Sequence, residues 1–179
     1  MKNIKYVLFY LLLGINMAIA QTNSDNVIVM ELKYGKVLIE LYPEIAPEHV
    51  KRIKTLSSEG FYDNIVFHRV IDGFMVQTGD PTGTGSGGSK LPNLKAEFNS
   101  IDHVRGVLSM ARSANPDSAN SQFFIMLADS PHLNHQYTAF GRVIEGMEFV
   151  DKIKKGDSRN NGMVQDPDSI IRMRLKQDF

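Results

Sequence analysis

Within the nine residues from Arg69 to Gln77 the chain places a permanent positive charge, an aromatic ring, a thioether and a primary amide: Arg69, Phe74, Met75 and Gln77. A guanidinium beside an apolar wall is costly to desolvate unless something uses its charge. Its planar fork of five N–H donors suits the stabilisation of a lone pair or partial negative charge inside a dry pocket. Asp72-Gly73 favours a tight hairpin turn, so the stretch reads as two short strands that bring Arg69 near the second. On that strand Phe74 and Met75 face opposite ways, whereas Met75 and Gln77 share a face. Taken alone, a core hairpin carrying one exposed arginine explains these residues equally well.

A second stretch, Ser109 to Met126, tips the balance. Gln122 and Phe124 stand two residues apart and share a face if extended, while the run from Ala114 to Asn120 (ANPDSAN) reads as a loop. Together the sequences FHRVIDGFMVQTGD at 67–80 and SQFFI at 121–125 closely resemble the signatures of the cyclophilin family of peptidyl-prolyl isomerases. The resemblance runs from about Val27 to Lys176.

Other chemistries fit poorly. Gly83-Thr84-Gly85-Ser86-Gly87-Gly88 matches a dinucleotide-binding fingerprint letter for letter. A phosphate-binding loop must open a helix, however, and Lys90-Leu91-Pro92-Asn93 is a poor helix start with no βαβ pattern around it. The run is expected to be a flexible surface loop beside the groove. His132 and His135 lie three apart beside Pro131 and Asn134, with no carboxylate at ligand spacing, so no metal site is expected. His68 is expected to be structural. No G-x-S-x-G or comparable nucleophile context supports a hydrolase, and no cysteine is present to act as nucleophile, zinc ligand or lipid anchor. No cofactor is called for.

The elements that must position these residues are mostly strands. Residues 27–34 and 37–42 alternate, joined at Gly35-Lys36. Further strands are expected at 65–71, 74–78, 95–98, 106–111, 121–127, 139–144 and 169–175. An amphipathic helix fits 48–58, with Val50, Ile53 and Leu56 on one face and Gly60 as its stop; a second fits 147–155. Short turns between many antiparallel strands argue for a mainly β fold, a closed barrel whose ends the two helices cover, because closure removes exposed edges.

The chain has 179 residues, 42% apolar and 22% charged, enough for one domain with a packed core. Residues 1–20 read as a signal peptide: Lys2 and Lys5, an apolar run from Ile4 to Ile15, then Ala18-Ile19-Ala20 as a cleavage site. The apolar run is too short for a stable membrane anchor. Cleavage would leave a mature start at Gln21, a linker at 21–26 and the isomerase domain at 27–179, periplasmic or secreted. Loss of the two lysines leaves 18 basic against 20 acidic residues, a net −2, with no basic stripe for nucleic acid.

The resemblance implies a closed eight-stranded antiparallel barrel capped by two α-helices, with the active groove on its outer surface. It implies Arg69 as the catalytic residue, with Phe74, Met75, Phe124 and Leu133 holding the proline ring. Gln77 and Gln122 are implied to bind the substrate backbone and to orient Arg69, and Gly83 matches a groove-side glycine. Ala111 and Arg112 align with the family's Ala-Asn pair, which binds the peptide preceding the proline; Arg112 departs from it, and an altered preference for the preceding residue is expected. His132 stands where many members carry a tryptophan and Tyr137 where they carry a histidine. The tryptophan is linked to cyclosporin, so weak cyclosporin binding is expected. The partners implied are proline-containing unfolded or partly folded polypeptides, handled by a monomer. The activity implied is acceleration of rotation about X-Pro peptide bonds, assisting the folding of exported proteins; the other reading is a cyclophilin-like proline-segment binding module or chaperone with little catalysis.

Overall fold

The computed structural model describes residues 24–179; the expected signal peptide and the first half of the linker, residues 21–23, lie outside them. Eight antiparallel strands make one sheet: β1 (Val27–Leu32), β2 (Gly35–Leu41), β3 (Arg69–Ile71), β4 (Met75–Thr78), β5 (Val107–Met110), β6 (Phe123–Met126), β7 (Ala139–Glu145) and β8 (Arg172–Leu175). Their order is β3-β4-β6-β5-β7-β2-β1-β8. Helix α1 spans Pro47–Ser58 and the short α2 spans Met147–Val150.

The sheet curls around its core, but closure is partial. Strands β3 and β8 are its two edges, and they do not pair along their length. The segments just before them meet instead, through the Val66–Ser169 bridge and backbone bonds from Phe67 N to Asp168 O and from Ile170 N to Ile65 O. Expected strands at 65–71 and 169–175 therefore shorten to three and four residues, because the approach to each edge forms this seam.

Alternation divides the apolar residues between two clusters. Ile28, Met30, Val37, Ile39, Val76, Leu108, Met110, Phe123, Ile125 and Met173 point inward, and α1 adds Val50, Ile53 and Leu56. Met75, Val107, Phe124, Met126, Leu133 and Ala139 form a second cluster. The period of two explains the split: in β6 Phe123 and Ile125 join the interior while Phe124 and Met126 face out.

Three local expectations need correction. The first hairpin turns at Lys33-Tyr34, since Gly35 already pairs with Leu32. The Phe149 ring packs where a Gly35 side chain would stand, so only glycine admits α2 against the hairpin. Residues 95–98 are not a strand; they deliver the Glu97 carboxylate to the first turn of α1, where it accepts from the backbone N–H of Glu48 and His49 at 3.2 and 3.1 Å. That satisfies otherwise orphaned donors with a negative charge at the helix's positive end. The second helix stops at Val150, short of the expected Lys155.

Candidate active site

Register aligns the groove. Arg69 of β3 pairs with Gln77 of β4, Gln77 pairs with Phe124 of β6, and Phe124 pairs with Ser109 of β5, so the four stand in one row across four strands. Phe74 sits in the turn just before β4 rather than on the strand.

Arg69 is clamped on two sides. Its Nη1 donates to Gln77 Oε1 at 3.1 Å and lies 3.9 Å from Met75 Sδ. Its Nε donates to Asn161 O and its Nη2 to Asn161 Oδ1, both at 3.0 Å. Burial pushes the guanidinium below the ordinary arginine range, yet it stays cationic at any working pH. Three of its five N–H groups are thus committed to neutral acceptors. None of the ion pairs among the described residues involves it.

Behind this clamp runs a relay of amides. Gln77 Nε2 donates to Gln122 Oε1 at 2.9 Å, and Gln122 Nε2 donates to Gly85 O and Gly87 O at 3.0 and 2.8 Å. Gln77 is thus bonded to Arg69 on one side and to Gln122 on the other. Gln122 acts one step further back, with both its N–H groups spent on the glycine-rich loop rather than free for a substrate.

That loop is held from within. The Asp80 carboxylate accepts from the backbone N–H of Thr82 at 2.8 Å, of Gly85 at 2.6 Å and of Gly87 at 3.1 Å, and from the Thr82 hydroxyl at 2.8 Å. Burial raises its pKa, but these bonds outweigh burial and hold it at about 2. Glycine N–H groups that would cradle a phosphate in a dinucleotide site here surround the chain's own carboxylate. The sequence match to such a site is thereby explained, and the loop is tethered rather than loose. Gly85 has φ +86°, and a side chain on Gly87 would strike Asp80.

Two adjoining cavities open on this face. The smaller, about 120 Å³, is lined by Arg69, Phe74, Met75, Gln77, Ala111, Arg112, Phe124, Leu133 and Tyr137. The larger, about 520 Å³, lies toward the glycine-rich loop and shares Gln77, Ala111 and Arg112 with the first, adding Gln122, Ser113, Asn120 and residues 85–89 among others. His132 sits at the rim, stacked on Phe74 with ring centroids 5.8 Å apart. Gly83 is not brought into either cavity: it turns against Val66, and Gly85 to Gly88 take the groove-side role. Behind Phe124, the buried His103 stacks on its ring at 6.2 Å and pairs through Nε2 with Ser109 Oγ at 2.7 Å.

Asn161, Asp80 and Ser109 escaped the sequence reading. Asn161 lies 92 residues from Arg69 in a turn with left-handed backbone (φ +51°) and carries no local signal. Asp80 had one: a carboxylate three residues before a glycine-rich run whose N–H groups need an acceptor.

A fixed guanidinium outside any ion pair among the described residues, in a cavity that Phe74, Met75, Phe124 and Leu133 line without a serine, threonine or cysteine, suits binding rather than bond cleavage. Residues 27–175 match the family model of the cyclophilin-type peptidyl-prolyl cis-trans isomerases. A "probable peptidyl-prolyl cis-trans isomerase" of Brucella suis is 50% identical over 167 residues, covering 87% of this chain and 85% of the relative. A "peptidyl-prolyl cis-trans isomerase-like 1" of Aspergillus fumigatus is 41% identical over 155 residues, covering 84% and 96%. Among solved structures, the cyclophilin AquaCyp293 from Hirschia baltica superposes with a TM-score of 0.78 at 28% identity, over 87% of this chain and 76% of that one. A Cryptosporidium parvum cyclophilin-type isomerase, crystallised in the presence of the dipeptide Ala-Pro, gives 0.76 at 32% identity, over 83% and 98%. The chain belongs to the cyclophilin-type peptidyl-prolyl cis-trans isomerases, as an isomerase enzyme.

Proposed function

We propose that the smaller cavity receives the proline ring and that Arg69 lowers the barrier to rotation about the preceding peptide bond. That barrier is about 18–20 kcal/mol because amide resonance must be broken, and no covalent bond changes. An enzyme needs only to bind the twisted amide better than the planar one. On twisting, the proline nitrogen becomes pyramidal and gains a lone pair, which an N–H of Arg69 not already engaged can meet. Phe74, Met75, Phe124 and Leu133 exclude water around that contact and so strengthen it.

The observation that carries this reading is the double clamp on Arg69, from Gln77 on one side and Asn161 on the other, which fixes the donor before a substrate arrives. Exchange NMR on an X-Pro peptide tests it. Catalysed exchange that disappears when Ala-Pro dipeptide fills the groove is expected; turnover unaffected by the dipeptide would place the chemistry elsewhere.

The same reading extends to the client and the compartment. Proline-containing unfolded chains that have crossed a membrane fit the signal-like residues 1–20, and among the described residues no helix is long and apolar enough to cross a membrane. Protein isolated from its native host should begin at Gln21. A membrane-retained chain beginning at Met1 would overturn export.

A further inference from the structure

Arg112 stands between the two cavities and borders both. Its Nε and Nη2 donate to Gln136 O at 3.1 and 2.9 Å, and its Nη1 donates to Ser113 O at 2.9 Å. The guanidinium also lies 4.6 Å over the Tyr137 ring and 5.9 Å from that of Phe98. This half-buried arginine is fixed by three main-chain bonds and a stacking contact, so much of its side-chain entropy is already spent.

Every partner in that set is neutral. Arg112 takes part in none of the ion pairs among the described residues, and two of its five N–H donors are left over. The walls of both cavities hold two guanidiniums, Arg69 and Arg112, and no carboxylate side chain. An arriving anion would have no existing salt bridge to break and no like charge on the cavity walls to overcome.

We propose that Arg112 makes the enzyme select substrates with a carboxylate side chain one or two residues before the proline, on the segment that enters the larger cavity. This rests on the smaller cavity holding the proline ring. Arg69 cannot supply the same selectivity, because its open donors face the cavity where the ring must sit. Arg112 lies at the dividing wall, within reach of a neighbouring side chain.

The test compares acetylated, amidated peptides, free of terminal charges, in which the residue one or two before proline is Glu, Gln or Lys. Isomerisation is followed by exchange NMR with the full protein. A Glu-over-Lys preference in kcat/KM of about fivefold is expected at one of the two positions, the scale of a solvent-screened charge pair. It should shrink toward one in about 1 M salt, where the Debye length is about 3 Å. The ratio within each variant is the readout, so a general loss of activity does not confuse it. Arg112→Lys should retain part of the preference, Arg112→Gln abolish it and Arg112→Glu invert it. Equal rates for Glu and Lys peptides in the natural protein, or a preference that survives Arg112→Gln, would overturn the proposal while leaving the isomerase reading intact. Absence of catalysis on every peptide would instead strike that reading.

Discussion

Arg69 and Gln77 are directly opposed across the β3–β4 pair, and the 3.1 Å bond between their side chains spans that register. A one-residue slip of either strand would turn one of the two away from the groove. The tight Asp72-Gly73 turn, with Gly73 in left-handed backbone, therefore sets the Arg69–Gln77 pairing as well as reversing the chain. Arg69→Ala should lower kcat/KM by about 10²–10³, the scale for losing one preorganised donor, with the fold retained. Arg69→Lys should recover little, because an ammonium cannot span Gln77 and Asn161 at once. Rates measured by exchange NMR alongside circular dichroism check both, and natural turnover in Arg69→Ala would refute the mechanism.

Asn161 is the second hand on Arg69, and it holds through both a main-chain and a side-chain oxygen. Asn161→Gly suits the left-handed backbone there and removes only the side-chain acceptor. We expect kcat to fall about tenfold with KM nearly unchanged, because the ring-binding wall is untouched while the donor loosens. A change confined to KM would show that Asn161 shapes the groove rather than the arginine.

How much of this was legible in the sequence follows from where each bond runs. Met75 with Gln77, and Gln122 with Phe124, lie in two compact runs whose alternation puts each pair on one face, and all four reach the groove; Phe74, which alternation sets opposite Met75, reaches the same cavity because it stands in the turn before β4. Residues 95–98 misled because their backbone groups bond to side chains from elsewhere: Ala96 N to Asp117 and Glu97 N to the Thr138 hydroxyl. Alternation of residue types cannot distinguish that from a ladder. Partial closure was equally hidden, since the Val66–Ser169 seam joins segments a hundred residues apart.

Asp80 ties acid stability to the groove. Its carboxyl is held at about 2 in the folded protein, below the value near 3.9 of an unfolded aspartate. Between those values the unfolded chain binds the proton and the native chain does not, so its stabilisation is complete above about pH 4 and is lost as pH falls toward 2. Asp80→Asn should flatten that part of the acid-unfolding curve. At pH 7 it should cost about 1.5–3 kcal/mol, the worth of hydrogen bonds to a charged group. Denaturant titrations across pH 2–7 provide the measurement; an unchanged acid limb would show that the loop does not depend on this charge.

Three buried histidines set a second slope, at higher pH. Burial pushes His49, His68 and His103 below the ordinary imidazole range; Glu97 partly offsets this for His49, and the neighbouring Arg69 adds to it for His68. A lowered histidine means that the unfolded state protonates first, so stability should decline as pH falls through about 6.5. His68 packs beside Gly85 and neither of its ring nitrogens has a protein hydrogen-bond partner. His68→Leu should therefore reduce the slope between about pH 7 and pH 5. A variant as pH-sensitive as the natural protein would assign the slope to His49 and His103.

His132 is where the rim departs most from the family's tryptophan-bearing members. Its imidazole stacks on Phe74 at 5.8 Å with planes 29° apart, so the position overhangs the smaller cavity and a larger ring there would extend the apolar wall. An indole buries more apolar area than an imidazole and carries one N–H donor on a broad face. On the proposed reading the proline ring lies against Phe74, Met75, Phe124 and Leu133, which line the smaller cavity with Arg69, so a small substrate should gain little from the change. A large cyclic ligand such as cyclosporin covers the rim as well and gains more. We expect His132→Trp to tighten cyclosporin binding by at least about tenfold, equivalent to about 1.4 kcal/mol, while kcat/KM for a short proline peptide changes only a few-fold. Calorimetry and the isomerisation assay on both proteins separate the two effects. Unchanged drug affinity would show that the rim position is not what limits it.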